Sequence, residues 1–231
     1  MTHCGKTFYE AAGSNEGFSS VSAHHDDSFC GPPIQSGKRA LLLADDPDGG
    51  GNFPEDSDDL SHWLDQAFTV EKIYLSETPL EEAQQRLLDS INGGTVFLNY
   101  IGHGGPDRLA SEGLLTKGSL SSMNNLKGLH VLTAMTCLVG QFAIPGYDSL
   151  SESLVLKKDG GSAALWAPTG YSFNTMAKIL GEEFFKAAFD RPGKAIGDAI
   201  LEAFEEYHRR GAQAYMMDIY TLLGDPAMRL K

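Results

Sequence analysis

Val96-Phe97-Leu98-Asn99-Tyr100-Ile101-Gly102-His103-Gly104-Gly105 and Val131-Leu132-Thr133-Ala134-Met135-Thr136-Cys137-Leu138-Val139-Gly140-Gln141-Phe142 decide how this chain is read. Each begins with an apolar run rich in β-branched and aromatic residues, and each run stops at a residue that can do chemistry. Runs of this length closed by glycine read as buried strands of a mostly parallel sheet. In open α/β sheets ligands sit beyond the carboxyl ends of the strands. A histidine and a cysteine at two such ends can meet across a crevice, as a thiol nucleophile and its proton-transfer partner must.

Outward from these runs the same pattern repeats. Ala40–Ala44 is a short apolar strand that stops at Asp45-Asp46-Pro47-Asp48, and residues 49–59 read as a flexible acidic loop bordering the same crevice. Leu60, Trp63, Leu64 and Phe68 have helical spacing, and Val70–Tyr74 reads as a strand. Thr78-Pro79-Leu80-Glu81 opens a helix with Thr as N-cap and Pro at the first helical position; its buried face carries Leu80, Ala83, Leu87, Leu88 and Ile91, and Gly93-Gly94 ends it. A short helix is expected around Leu120–Leu126, a helix over Asp148–Leu156 and a strand over Ser162–Ala167. Two amphipathic helices follow, on Met176–Phe184 and Ile196–Tyr207, and then an extended end with a turn at Gly224-Asp225-Pro226. Strand–helix alternation implies right-handed crossovers and a sheet covered on both faces. Residues 38–231 form one such domain. Residues 1–37 show no sustained period and read as an irregular tail or the remnant of an upstream region; Cys4, His24, His25 and Cys30 match no familiar zinc spacing.

Composition bounds the function. The net charge of −13 argues against nucleic-acid and anionic-membrane binding, which need basic surface. No run approaches the roughly 20 apolar residues of a spanning helix, so no membrane insertion is expected. Three cysteines are too few and too scattered for a disulfide framework, which leaves one free for chemistry. Met1–Lys6 opens no apolar signal-peptide core, so this start reads as cytoplasmic or as lacking an original beginning. A Gly-x-Ser-x-Gly elbow and a phosphate loop are both absent, which counts against other α/β hydrolases and transferases.

Cys137 taken alone fits a small buried hydrophobe as well as a nucleophile. Gly140 suits a tight turn that leaves a backbone N–H free for a ligand, and the glycines around His103 suit close approach of another chain to the backbone. The histidine precedes the cysteine by 34 positions, the caspase-like order. Asn99–Gly105, Met135–Phe142 and Leu223-Gly224-Asp225-Pro226 together resemble the gingipain-like cysteine peptidases, relatives of caspases and legumains, over residues 39–231. The resemblance implies a caspase-like three-layer α/β/α sandwich and a cysteine endopeptidase acting on protein or peptide substrates. It implies His103 and Cys137 as catalytic dyad, and the N–H groups of Gly104 and Cys137 as oxyanion hole. An upstream acid, Asp45 or else Asp46, would orient the histidine. The loop Trp166–Phe173 would wall the pocket for the residue before the cleaved bond, with Trp166 and Tyr171 on the stem of an Arg or Lys and Asp56 or a neighbour meeting its charge; core packing is the other reading of Trp166. The chemistry needs no cofactor, and the family's use of structural calcium extends to the acidic loop, although the EF-hand pattern is missing. The resemblance also implies a secreted or periplasmic setting, and better-known members carry a propeptide and an upstream subdomain that are not seen here. A catalytically silent relative with a binding or secretion role is the rival reading. The oligomeric state is not readable.

Overall fold

The computed structural model describes residues 6–13, 18–26, 38–64, 68–190 and 193–229. By internal contacts the chain divides into Met1–Pro33 and Ile34–Lys231. The first unit holds β1 (Lys6–Gly13) and β2 (Phe18–Asp26), an antiparallel pair with Phe8 opposite His24. The expected irregular tail therefore contains a hairpin; its Ser-, Ala- and His-rich strands lack the apolar alternation that announces one. Cys4 and Cys30 lie outside the described residues, so the zinc question does too.

The second unit is built on six strands: β3 (Arg39–Ala44), β4 (Thr69–Tyr74), β5 (Phe97–Ile101), β9 (His130–Met135), β10 (Ser162–Pro168) and β11 (Tyr220–Gly224), ordered β11-β10-β9-β5-β3-β4. All neighbours are parallel except β11, which runs antiparallel to β10. Three very short strands, β6 (Gly104–Gly105), β7 (Arg108–Leu109) and β8 (Leu115–Thr116), form a separate small sheet after β5.

Side chains alternate between the two faces, as the two-residue strand period requires. Leu42, Ile101, Met135 and Trp166 enter one buried cluster, which is covered by α1 (Phe53–Ser61), α4 (Asn174–Phe189), α5 (Ile196–Arg209) and α6 (Tyr215–Ile219). Leu43, Leu98, Leu132 and Leu165 enter the other, covered by α2 (Leu80–Asn92) and α3 (Leu150–Val155). With both faces buried, the central strands are apolar throughout, which is why they stand out in the sequence. This is the three-layer α/β/α sandwich, with a mostly parallel sheet, expected of the chain.

Several elements fall where periodicity puts them, and a few shift. Helix α2 starts at Leu80 with Pro79 as its N-cap and no side-chain cap, one residue later than the Thr78 reading. The short helix is a 3-10 turn at Lys117–Ser122. Helix α1 occupies most of the expected acidic loop: Phe53, Asp56, Ser57 and Leu60 are spaced to bury one face, and Glu55 and Asp56 lie in the first turn, where the helix dipole favours acids. Among the described residues, no helix is long and apolar enough to cross a membrane.

Candidate active site

Register brings the chemistry together. Ala44, Ile101 and Met135 are level across β3, β5 and β9, so the residues that follow them emerge side by side at the sheet's carboxyl edge. Asp45 follows β3, His103 follows β5 and Cys137 follows β9. His103 and Cys137 line one cleft of about 260 Å³ together with Gly49, Gly50, Thr136 and Asn174.

A buried scaffold holds the histidine loop. Asp45, 3% exposed, accepts the His103 N–H on Oδ2 at 3.0 Å and the Asp46 N–H on Oδ1 at 3.0 Å. The Tyr100 hydroxyl donates to the His103 carbonyl at 2.6 Å and accepts the Ala110 N–H at 2.9 Å, while lying 3.2 Å from Asp45 Oδ2. Burial raises the Asp45 pKa, against the lowering effect of the two N–H donors. Burial, and then the Asp45 charge, hold the Tyr100 phenol well above its ordinary value, so it stays a neutral hydroxyl. Gly102 makes this packing possible. Its φ is +151°, and a Cβ there would lie 2.4 Å from Asp45 Cβ and 2.6 Å from the Tyr100 oxygen.

Asp48 meets the imidazole. Its Oδ2 lies 2.9 Å from His103 Nε2, and its Oδ1 accepts the Gly50 N–H at 2.7 Å. Reciprocal backbone bonds between Asp48 and Gly51 close the Gly49-Gly50 turn that aims it. The Gly50 N–H first, and the His103 ring second, keep the Asp48 carboxyl below the ordinary carboxylate range. The Phe53 ring stands edge-on to the imidazole at 5.2 Å and 78°. The carboxylate at the imidazole is therefore Asp48, whereas Asp45, the acid expected there, holds the histidine's backbone.

Cys137 sits in a strained turn. Leu138 has φ +60°, which side-chain-bearing residues rarely adopt, and its N–H donates to Gly170 O at 3.1 Å. Gly140 lies in the turn expected of it, where its N–H donates to Pro168 O at 2.9 Å; the glycine is there because a Cβ would lie 3.0 Å from Ala167 O. Cys137 Sγ donates to Ser172 O and accepts the Ser172 N–H, both at 3.3 Å, and among the described residues no hydrogen bond joins it to His103. Gly104 packs on this turn: a Cβ on it would stand 2.4 Å from Thr136 Oγ1 and 3.0 Å from Cys137 O.

The three expected pocket residues are not brought to the cleft. Trp166 is fully buried, with its ring 4.9 Å from Phe184 and 5.3 Å from Tyr220, because its position in β10 points into the core between sheet and helices. Tyr171 is 77% exposed and outside the cleft lining; Phe173, two residues on, is the aromatic that lines it. Asp56 is buried between α1 and α4, where Oδ1 meets Lys178 Nζ at 2.8 Å and Oδ2 accepts Asn174 Nδ2 at 2.8 Å. Lys178 also reaches Asp59 at 2.7 Å. Burial alone would lower the lysine's pKa, but the bonds to these two carboxylates hold it above the ordinary value. Asp58 is likewise engaged, by Lys72 Nζ at 2.8 Å and the Tyr74 hydroxyl at 2.7 Å. Among the described residues no group of three or more His, Cys, Asp or Glu side chains converges as a metal site.

Fold and cleft together define a caspase-like α/β protein with a histidine and a cysteine on adjacent strand ends. The model of peptidase family C25 matches residues 31–231, and the chain belongs to that family of cysteine peptidases. Similar solved structures include the Arg-specific cysteine proteinase gingipain R (TM-score 0.72, 19% identity, 84% of this chain and 47% of that one) and the complex of Porphyromonas gingivalis RgpB pro- and mature domains (TM-score 0.73, 19% identity, 84% and 48%). A third, described only as a protease, has a TM-score of 0.63 and 16% identity over 85% of this chain and 49% of that one. The chain thus spans about half the length of the structures it matches. A comparison with curated proteins found no match.

Proposed function

We propose that the chain is a cysteine endopeptidase in which Cys137 and His103 form the dyad. The observation that carries this reading is their convergence on one cleft from the neighbouring ends of β5 and β9. The Cys137 thiolate attacks the carbonyl carbon of the scissile peptide bond; the carbonyl π electrons move to oxygen, giving a tetrahedral oxyanion. Gly104 and Cys137 stand beside each other in the backbone, which suits their N–H groups to that oxyanion. Collapse breaks the C–N bond, and His103 gives its proton to the leaving amine. Water then attacks the thioester with His103 as base, releasing the carboxylic acid and the thiol. Asp48 keeps the ring in one orientation throughout, while Asp45 and Tyr100 hold the loop that carries it. The Ser172 contact of Cys137 describes the resting enzyme; the sulfur turns to substrate when the cleft fills.

A peptidyl electrophile applied to the full chain under reducing conditions tests this. Label is expected on Cys137, with peptide hydrolysis that Cys137→Ala and His103→Ala both abolish without loss of the folded circular-dichroism spectrum. Absence of both label and hydrolysis would establish the silent-domain reading instead.

A further inference from the structure

Within the peptidase reading, we infer that the cleft takes a peptide with an uncharged side chain before the cleaved bond, and that Lys178 sets this choice by filling the acidic site with the chain's own cation. The inference rests on how Asp56 and Asp48, the two carboxylates described beside the cleft, are engaged. Recognition of arginine or lysine requires an anion that the substrate can reach. Asp56 is the acid nearest to such a role, and both of its oxygens are taken by α4, one by Lys178 Nζ and one by Asn174 Nδ2. Asn174 itself lines the cleft, so it stands between the cleft and the buried carboxylate. Asp48 has its two oxygens on His103 Nε2 and the Gly50 N–H. Among the described residues that line the cleft none is an acid; the ionisable ones are His103 and Cys137.

What the cleft offers instead is neutral. Phe53, Met135, Phe173 and Ala177 supply apolar surface, and Thr136, Ser172 and Thr175 supply neutral polar groups. Thr136 Oγ1 and Asn174 Oδ1, on two residues of the lining, are buried polar atoms without a hydrogen-bond partner in the protein, and both are neutral. A guanidinium entering here would lose its hydration and meet no acid among the residues that line the cleft, a penalty that an uncharged side chain avoids.

The test is the ratio of kcat/KM for matched peptides differing only before the scissile bond, with Asn, Gln, Leu and Met set against Arg and Lys. The uncharged set is expected to be cut at least about tenfold better. Lys178→Met releases Asp56 and is expected to raise the Arg-to-Leu ratio by about tenfold or more, a gain that Lys178→Met combined with Asp56→Asn removes. Asp56→Asn alone is expected to leave the ranking unchanged, and this arm holds even if Lys178→Met folds poorly. Best cleavage after Arg or Lys, or a selective fall in Arg cleavage in Asp56→Asn, overturns the inference while leaving the peptidase reading standing. A chain that neither hydrolyses any peptide nor takes label on Cys137 ends both.

Discussion

Asp48 faces the imidazole of His103, with Oδ2 2.9 Å from Nε2, while Asp45 Oδ2 takes the N–H of the same residue at 3.0 Å. One acid orients the ring and the other fixes the backbone beneath it. Asp48→Asn keeps an oxygen for the Gly50 N–H and replaces the charged partner of the ring. It is expected to lower kcat/KM by about 10- to 100-fold with little change in KM or unfolding midpoint, since the pair is half exposed.

The same pair sets a pH dependence. The folded-state pKa of Asp48 is depressed below its ordinary 3.8, so its contribution is fully present above that value and is lost as pH falls through the depressed one. The Asp48 carboxylate therefore stays charged through pH 5–8. An acid limb of the wild-type kcat/KM profile within that range is expected to remain at the same pH in Asp48→Asn only if it arises elsewhere; a limb caused by Asp48 lies below about pH 4.

Asp45 has the opposite sign. Its folded-state pKa is raised, so between 3.8 and that raised value the folded chain binds more protons than the unfolded one, and stability falls as pH rises through the window. Asp45→Asn does not titrate there. The stability advantage of wild type over Asp45→Asn, measured by urea unfolding, is expected to be largest at the acid end of the window and to shrink above it.

Tyr100→Phe removes the hydroxyl that serves the His103 carbonyl and the Ala110 N–H. Leaving these groups unsatisfied in a buried site is expected to cost about 1–3 kcal/mol in urea unfolding. Activity is expected to fall through kcat, because the loop that carries the histidine loosens.

Two glycines separate steric need from mere looseness. Gly102→Ala puts a Cβ against Asp45 and Tyr100 at a positive φ, and is expected to destabilise by more than about 2 kcal/mol. Gly49→Ala meets nothing within 4 Å and is expected to stay within about 0.5 kcal/mol of wild type in the same unfolding measurement.

The parts legible in the sequence are those with a local signature. Central strands buried on both faces read as apolar runs, and their shared polarity placed His103 and Cys137 at one edge. Contacts across long separations were not legible. Lys178 lies far along the chain from Asp56, and nothing local to either residue announces that they pair. The sequence favours Asp45 or Asp46 because they follow the strand directly, whereas the turn that swings Asp48 over the ring depends on Gly50 and Gly51. Trp166 shows the limit of a fully apolar strand: with no polar alternate residues, the sequence does not say which face a side chain takes. Tyr100 carries a signal, a phenol inside a buried, mostly apolar run, whose hydroxyl needs a partner. Helix α6, five residues long, is too short for periodicity to show.

The positive-φ turn and the strand register have a consequence for how the cleft comes into being. Asp45 and His103 are 58 residues apart, Asp48 and His103 are 55, and Cys137 and Ser172 are 35. None of these pairs can form from a hairpin or a single helix; each waits for parallel strands to close over intervening crossovers, which is the slow part of folding. A nascent or partly folded chain therefore carries a thiol and an imidazole but no assembled cleft, which is complete only when the central sheet is.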